Sequence, residues 1–294
     1  MNAFQIIDIS LTTFDANAAT SSGKTLARSN LLPNADLKSA DRKLVHDEKS
    51  TQDKGAGYAT VEESLLGQKQ INRVWSDDDL CAQAVLFFIA GFESVSTALS
   101  FLLYELAINP DVQDKLYQEI KENEAKNNGQ FDYNSIQNMV YMDMVVSETL
   151  RLWMPAVGMD RCCTKDYNLG KPNDKATEDF IIRKGDGLQI PLWSIHRDPI
   201  YYPNPNKFDP ERFSEENKHK IQPFTYMPFG LGPRNCIGSR FALCEVKVMA
   251  YQLLKSIEVS PSTRTTIPSK LDPSTFFIRI KGGHWARFKI RKEL

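Results

Sequence analysis

Pro228-Phe229-Gly230-Leu231-Gly232-Pro233-Arg234-Asn235-Cys236-Ile237-Gly238 is the stretch that decides how the rest of the chain is read. A dinucleotide-binding loop needs a third glycine three residues after the second, and Asn235 stands there, so that fingerprint fails. A zinc site needs a companion Cys or His at close spacing, and Cys244 is eight residues further on. A lone buried cysteine accounts for neither the glycines nor the arginine. An axial sulfur ligand to the iron of a flat macrocycle accounts for all of them. Glycine at 230, 232 and 238 lets backbone turn tightly and approach a planar group. Cys236 precedes a helical pattern running from Arg240 to Ser256, and a helix N-terminus favours the thiolate. Arg234 can pair with a carboxylate of the macrocycle, and Phe229 can pack beside the sulfur and limit water.

Upstream, the pattern is helical. Ser76 followed by Asp79 reads as a capping box, and Asp77, Asp78 and Asp79 suit the positive end of a helix running to about Ile108. Ala84 to Ile108 is long and apolar enough to span a bilayer. Glu93 lies inside it, and an unpaired carboxylate at that depth costs roughly 2.5–3.5 kcal/mol, so a fully buried core helix is expected instead. Asn109-Pro110-Asp111 starts a second helix, with Val112, Leu116 and Ile120 on one face. A third is expected from about Ile136 to Trp153, stopping before Pro155. Phe180-Ile181-Ile182 and Leu188-Gln189-Ile190 flank Lys184-Gly185-Asp186-Gly187 as a hairpin would. Ser194 to Phe213 reads as an ordered, irregular loop, and Gly282-Gly283 as the turn of a terminal hairpin. The fold class is mainly α with small β-sheets (α+β). Strands do not alternate with helices, which excludes a doubly wound sheet.

Residues 1–74 are poor in aromatics and rich in polar residues, and read as a poorly structured or divergent segment before a packed portion over 75–294. The net charge of −1 gives no field that favours nucleic acid. Five cysteines and an opening stretch without a basic flank suit reduced thiols in a cytosol-facing compartment.

The Cys236 loop resembles the cysteine-ligand loop of the cytochrome P450 family, and further matches follow the family's order. Glu148-Thr149-Leu150-Arg151 resembles its Glu-x-x-Arg helix, and Pro210-Glu211-Arg212-Phe213 its downstream motif. The resemblance implies a structural Glu148–Arg151–Arg212 network under the haem. Ala90-Gly91-Phe92-Glu93-Ser94 resembles the family's oxygen groove, where glycine admits a diatomic ligand and an acid–alcohol pair relays protons. Here the alcohol is Ser94 where threonine is most usual. Arg161 matches a position that reaches a haem propionate. Phe87, Phe88, Ala156, Val157, Met159 and Phe276 fall in segments that line the substrate pocket. His196 is read as loop scaffold.

The wording of Tyr58–Ser64 and Trp75–Leu80 is most similar to insect microsomal members that oxidise lipophilic foreign compounds. The resemblance covers about Ala56 to Leu294, the C-terminal part of the family only. It implies haem b (iron protoporphyrin IX) with Cys236 as iron ligand, O2, a lipophilic small-molecule substrate, and electrons from an NADPH-dependent flavin reductase. It also implies the cytosolic face of the endoplasmic reticulum membrane. The rival reading is a truncated, inactive haem-thiolate fragment with weak or no haem binding, whose apolar faces would stand exposed.

Overall fold

The computed structural model describes residues 5–8, 74–130, 132–232 and 234–291. The expectation for residues 1–74, Gln5–Asp8 and Val74 aside, lies outside the described residues. Strand β1 (Gln5–Asp8) is followed by helix α1 (Asp77–Ile108). The capping box forms: Asp79 N–H donates to Ser76 Oγ at 3.1 Å, and Ser76 N–H to the Asp79 carboxylate at 3.1 Å.

The second half of α1 lies at the centre of the core, with Phe101, Leu102 and Leu106 fully buried. The first half is bare: Val85, Leu86, Phe87, Phe88 and Ile89 are all more than half exposed. The expectation of a fully buried helix is therefore corrected. The segment is apolar all round, but its packing partners among the described residues meet only the stretch after about Ser94. Among the described residues α1 is the one helix long and apolar enough to cross a bilayer.

Helix α2 (Pro110–Lys126) buries Val112, Leu116 and Ile120 as its spacing predicts. Asn109 does not cap it through its side chain; Nδ2 turns back to the Glu105 carbonyl (2.9 Å) and carboxylate (3.1 Å). The single helix expected over 136–153 is two: α3 (Tyr133–Gln137) and α4 (Val140–Leu152). The break has a tertiary cause. The Glu119 carboxylate of α2 accepts from Tyr141 N–H and Met142 N–H, each at 2.8 Å, and so caps α4 from a neighbouring helix.

The expected hairpin is corrected too. β2 (Met159–Cys162) and β3 (Tyr167–Asn168) pair respectively with β5 (Gly187–Ile190) and β4 (Ile181–Ile182), all antiparallel. The turn at 184–187 docks on 163–166 through Gly185 N–H to the Cys163 carbonyl (2.8 Å) and Cys163 N–H to the Asp186 carbonyl (2.9 Å). Its two flanking strands therefore reach different partners.

Helix α5 (Leu192–Ile195) opens the irregular loop. Helix α6 (Ser239–Leu254) packs on α1, α3 and α4. It leads to a three-stranded antiparallel sheet, β1-β7-β6, with β6 (Ile257–Pro261) and β7 (Trp285–Ile290). Gly282 and Gly283 do make the terminal turn, at φ +85° and +96°. The stretch before it forms one bridge, Leu271 to Ile280, and β7 pairs with β6 and β1 instead. The architecture is helix-rich with small sheets.

Candidate active site

The floor of the site is held by the last turn of α4. Residues three apart on a helix share a face, and here both are fully buried. Arg151 Nε and Nη2 grip the two Glu148 oxygens at 2.7 and 2.8 Å. A buried pair needs its remaining groups satisfied. Arg151 Nη1 donates to the His196 carbonyl (2.7 Å) and Nη2 also to the Pro205 carbonyl (2.9 Å). Glu148 Oε1 accepts from Asp209 N–H (2.9 Å), and Arg212 Nε lies 3.4 Å from it. Arg212 Nη2 donates to the Pro203 carbonyl at 2.7 Å. The network pins the irregular loop 196–212 to α4.

His196 belongs to the same scaffold. Its Nε2 accepts from Met227 N–H at 2.8 Å, so Nδ1 carries the proton and faces the Arg151 carbonyl at 3.3 Å. Burial pushes its pKa down to about 3, which keeps the ring neutral.

The Cys236 loop is shaped by its own backbone. Gly230 N–H donates to the Met227 carbonyl (3.0 Å) and Cys236 N–H to the Phe229 carbonyl (2.9 Å). Gly230 stands at φ +73°, and a Cβ there would lie 2.8 Å from Met159 Sδ. Gly238 is different: its φ is −94°, it caps α6, and no protein atom lies within 4 Å of a Cβ built on it. Cys236 is exposed, two residues ahead of that cap.

Loop, α1 and β2 meet around a cavity of about 330 Å³. Cys236, Arg234, Phe229 and Gly230 come from the loop, Met159 and Arg161 from β2, Ala156 from the turn before it, and Ser94 from α1. Val95 and Ala98 of α1 and Leu243 and Val246 of α6 make it apolar. Arg161 donates to the Asp160 carbonyl at 2.8 Å, and neither Arg161 nor Arg234 meets a carboxylate among the described residues.

Other expected residues fall elsewhere. Ser94 Oγ donates back to the Ala90 carbonyl at 2.7 Å. The Glu93 carboxylate is off the cavity wall, 3.0 Å from Arg279 Nη2. Ala90 and Gly91 sit about one turn earlier on α1, outside the lining. Phe87, Phe88 and Val157 are exposed, and Phe276 is 92% exposed; its neighbour Phe277 lines the cavity instead. Sequence reasoning missed Val95, Ala98, Phe277 and Arg279. Ala98 follows Ser94 by four residues and Val95 by three, so helical periodicity contained both.

The donor set fits a haem. One sulfur suits the iron, two guanidiniums that meet no carboxylate among the described residues suit two propionates, and the apolar remainder suits the flat ring. These are features of a haem-thiolate protein. The cytochrome P450 family model matches residues 34–286, and the chain belongs to that family, whose cofactor is haem.

It is 51% identical over 211 residues to cytochrome P450 9e2 of Blattella germanica, covering 72% of this chain and 39% of that protein. It is 47% identical over 216 residues to probable cytochrome P450 9f2 of Drosophila melanogaster (73% and 41%). It is 44% identical over 222 residues to cytochrome P450 6l1 of Blattella germanica (76% and 43%). The chain thus spans about two fifths of the length of these relatives.

Proposed function

We propose that this chain carries the haem-thiolate site of a monooxygenase. One atom of dioxygen enters a lipophilic small molecule and the other leaves as water, with two electrons from NADPH delivered by a flavin reductase. The observation that carries the reading is the meeting of Cys236 and Ser94 on one apolar cavity. Cys236 Sγ is the iron ligand of haem b, Arg234 and Arg161 hold its propionates, and Phe229 restricts water beside the sulfur. Bound there, the haem supplies dioxygen activation, which a thiolate ligand favours by donating electron density. Ser94 presents a hydroxyl to the cavity and can hand on a proton. Val95, Ala98 and Phe277 exclude water and suit an apolar substrate. The setting proposed with this activity is the cytosolic face of the endoplasmic reticulum membrane.

The test is reconstitution with haem, an NADPH-dependent flavin reductase and a lipophilic substrate under oxygen-18-labelled dioxygen. One labelled atom in the product is the expected result. Unlabelled product, its oxygen drawn from water, overturns the reading.

A further inference from the structure

Arg279 is placed by the strand alternation that precedes the terminal turn. Leu271 and Ile280 form an antiparallel bridge, fixed by Asp272 N–H to the Arg279 carbonyl (2.9 Å) and Lys281 N–H to the Lys270 carbonyl (2.7 Å). Successive side chains of an extended segment point to opposite sides. Ile278 and Ile280 are buried in the main core, at 7% and 3% exposure. Phe277 and Arg279 therefore share the other side. There Phe277 lines the cavity, and Arg279 Nη2 lies 3.0 Å from Glu93 Oε2. Glu93 in turn directly precedes Ser94, on the cavity wall.

We propose that Arg279 is a positioning residue. Its ion pair with Glu93 fastens the segment 271–280 to α1 and so sets where Phe277 stands in the cavity wall. The segment is closed on itself at two places. Its base is the Leu271–Ile280 bridge, and its tip is tied by Ser274 Oγ to the Asp272 carboxylate (2.6 Å) and Thr275 Oγ1 to the Asp272 carbonyl (3.2 Å). A shift at Arg279 therefore reaches Phe277 two residues away. Both charged side chains are partly buried, at 31% and 22% exposure, so water screens the pair only in part. Glu93 then acts as an anchor for the wall that an apolar ligand meets. The inference takes the cavity to be the substrate site proposed above, but the ion pair can be tested apart from any haem.

Phe277 is labelled as 4-fluorophenylalanine and followed by fluorine NMR, with amide hydrogen exchange at Asp272 and Lys281 measured on the same 294-residue chain. The variants are Glu93→Gln, Arg279→Gln, the double variant, and the reversed pair Glu93→Arg with Arg279→Glu. Each single variant is expected to move the Phe277 resonance and to speed exchange at the two amides about fivefold. The double variant should do no more than either single, and the reversed pair should restore both signals. An unmoved resonance in the single variants, or losses that add in the double variant, overturns the proposal. Haem titration of the same samples reports on Cys236 separately. Protein that keeps the ion-pair signature yet takes up no haem overturns the proposed function and supports the role of Arg279.

Discussion

The Ser94 hydroxyl donates to the Ala90 carbonyl at 2.7 Å, one turn earlier on α1. That bond parks the hydroxyl against its own helix while leaving it on the cavity wall. Serine holds such a bond with a freer χ1 than threonine, whose added methyl restricts rotation. Ser94→Thr should therefore keep the bond and raise product formed per NADPH consumed, by about twofold, with Ser94→Ala lowering it. Equal ratios in all three proteins would remove Ser94 from proton delivery.

Glu148 and Arg151 are both fully buried and joined by two hydrogen bonds. Removing one partner leaves an uncompensated charge in the core. Arg151→Ala should lower unfolding free energy by about 3–5 kcal/mol in urea, and Glu148→Ala by a similar amount. A loss below about 1 kcal/mol would mean the loop 196–212 is held by other contacts.

How much of this was legible depends on distance along the chain. The Ser76–Asp79 cap, the Val112–Leu116–Ile120 face and the glycine-rich approach to Cys236 are local, and each reads directly from spacing. The start of α4 was not legible, because Glu119 sets it from another helix. Strand pairing around Gly185 was not, because the turn docks on Cys163 rather than closing on itself. Choosing Phe276 over Phe277 is an error of one residue, at a bend where Phe276 stands out in solvent and Phe277 lines the cavity. The Arg279 contact with Glu93 spans 186 positions and leaves no local signal.

Glu105 gives the fold a pH dependence near neutrality. Burial raises its pKa from 4.5 to about 7, although Trp153 Nε1 donates to it at 2.7 Å. A carboxyl whose folded pKa lies above its unfolded value favours the fold fully below the unfolded pKa. That contribution is lost as pH rises through the folded one. Stability should therefore fall between about pH 5 and about pH 8, by up to about 3 kcal/mol from this group. Glu105→Gln should flatten that slope, and an identical slope in the variant would contradict the assignment.

His196 has the opposite sign. Its folded pKa is lowered to about 3, so its contribution is complete above the usual histidine pKa and is lost as pH falls from there toward about 3. NMR of the His196 ring nitrogens should show the neutral form, protonated on Nδ1, down to about pH 4. An imidazolium signal at about pH 6 would contradict the Met227 N–H to Nε2 bond.

The central claim is that Cys236 presents a thiolate to haem. The most direct measurement is the Soret band of the haem-loaded, reduced protein under carbon monoxide, taken beside Cys236→Ala. The account predicts the thiolate-type shift in the parent chain and its loss in the variant. No shift in the parent would favour the inactive-fragment reading, and a shift that survives Cys236→Ala would contradict the ligand assignment outright.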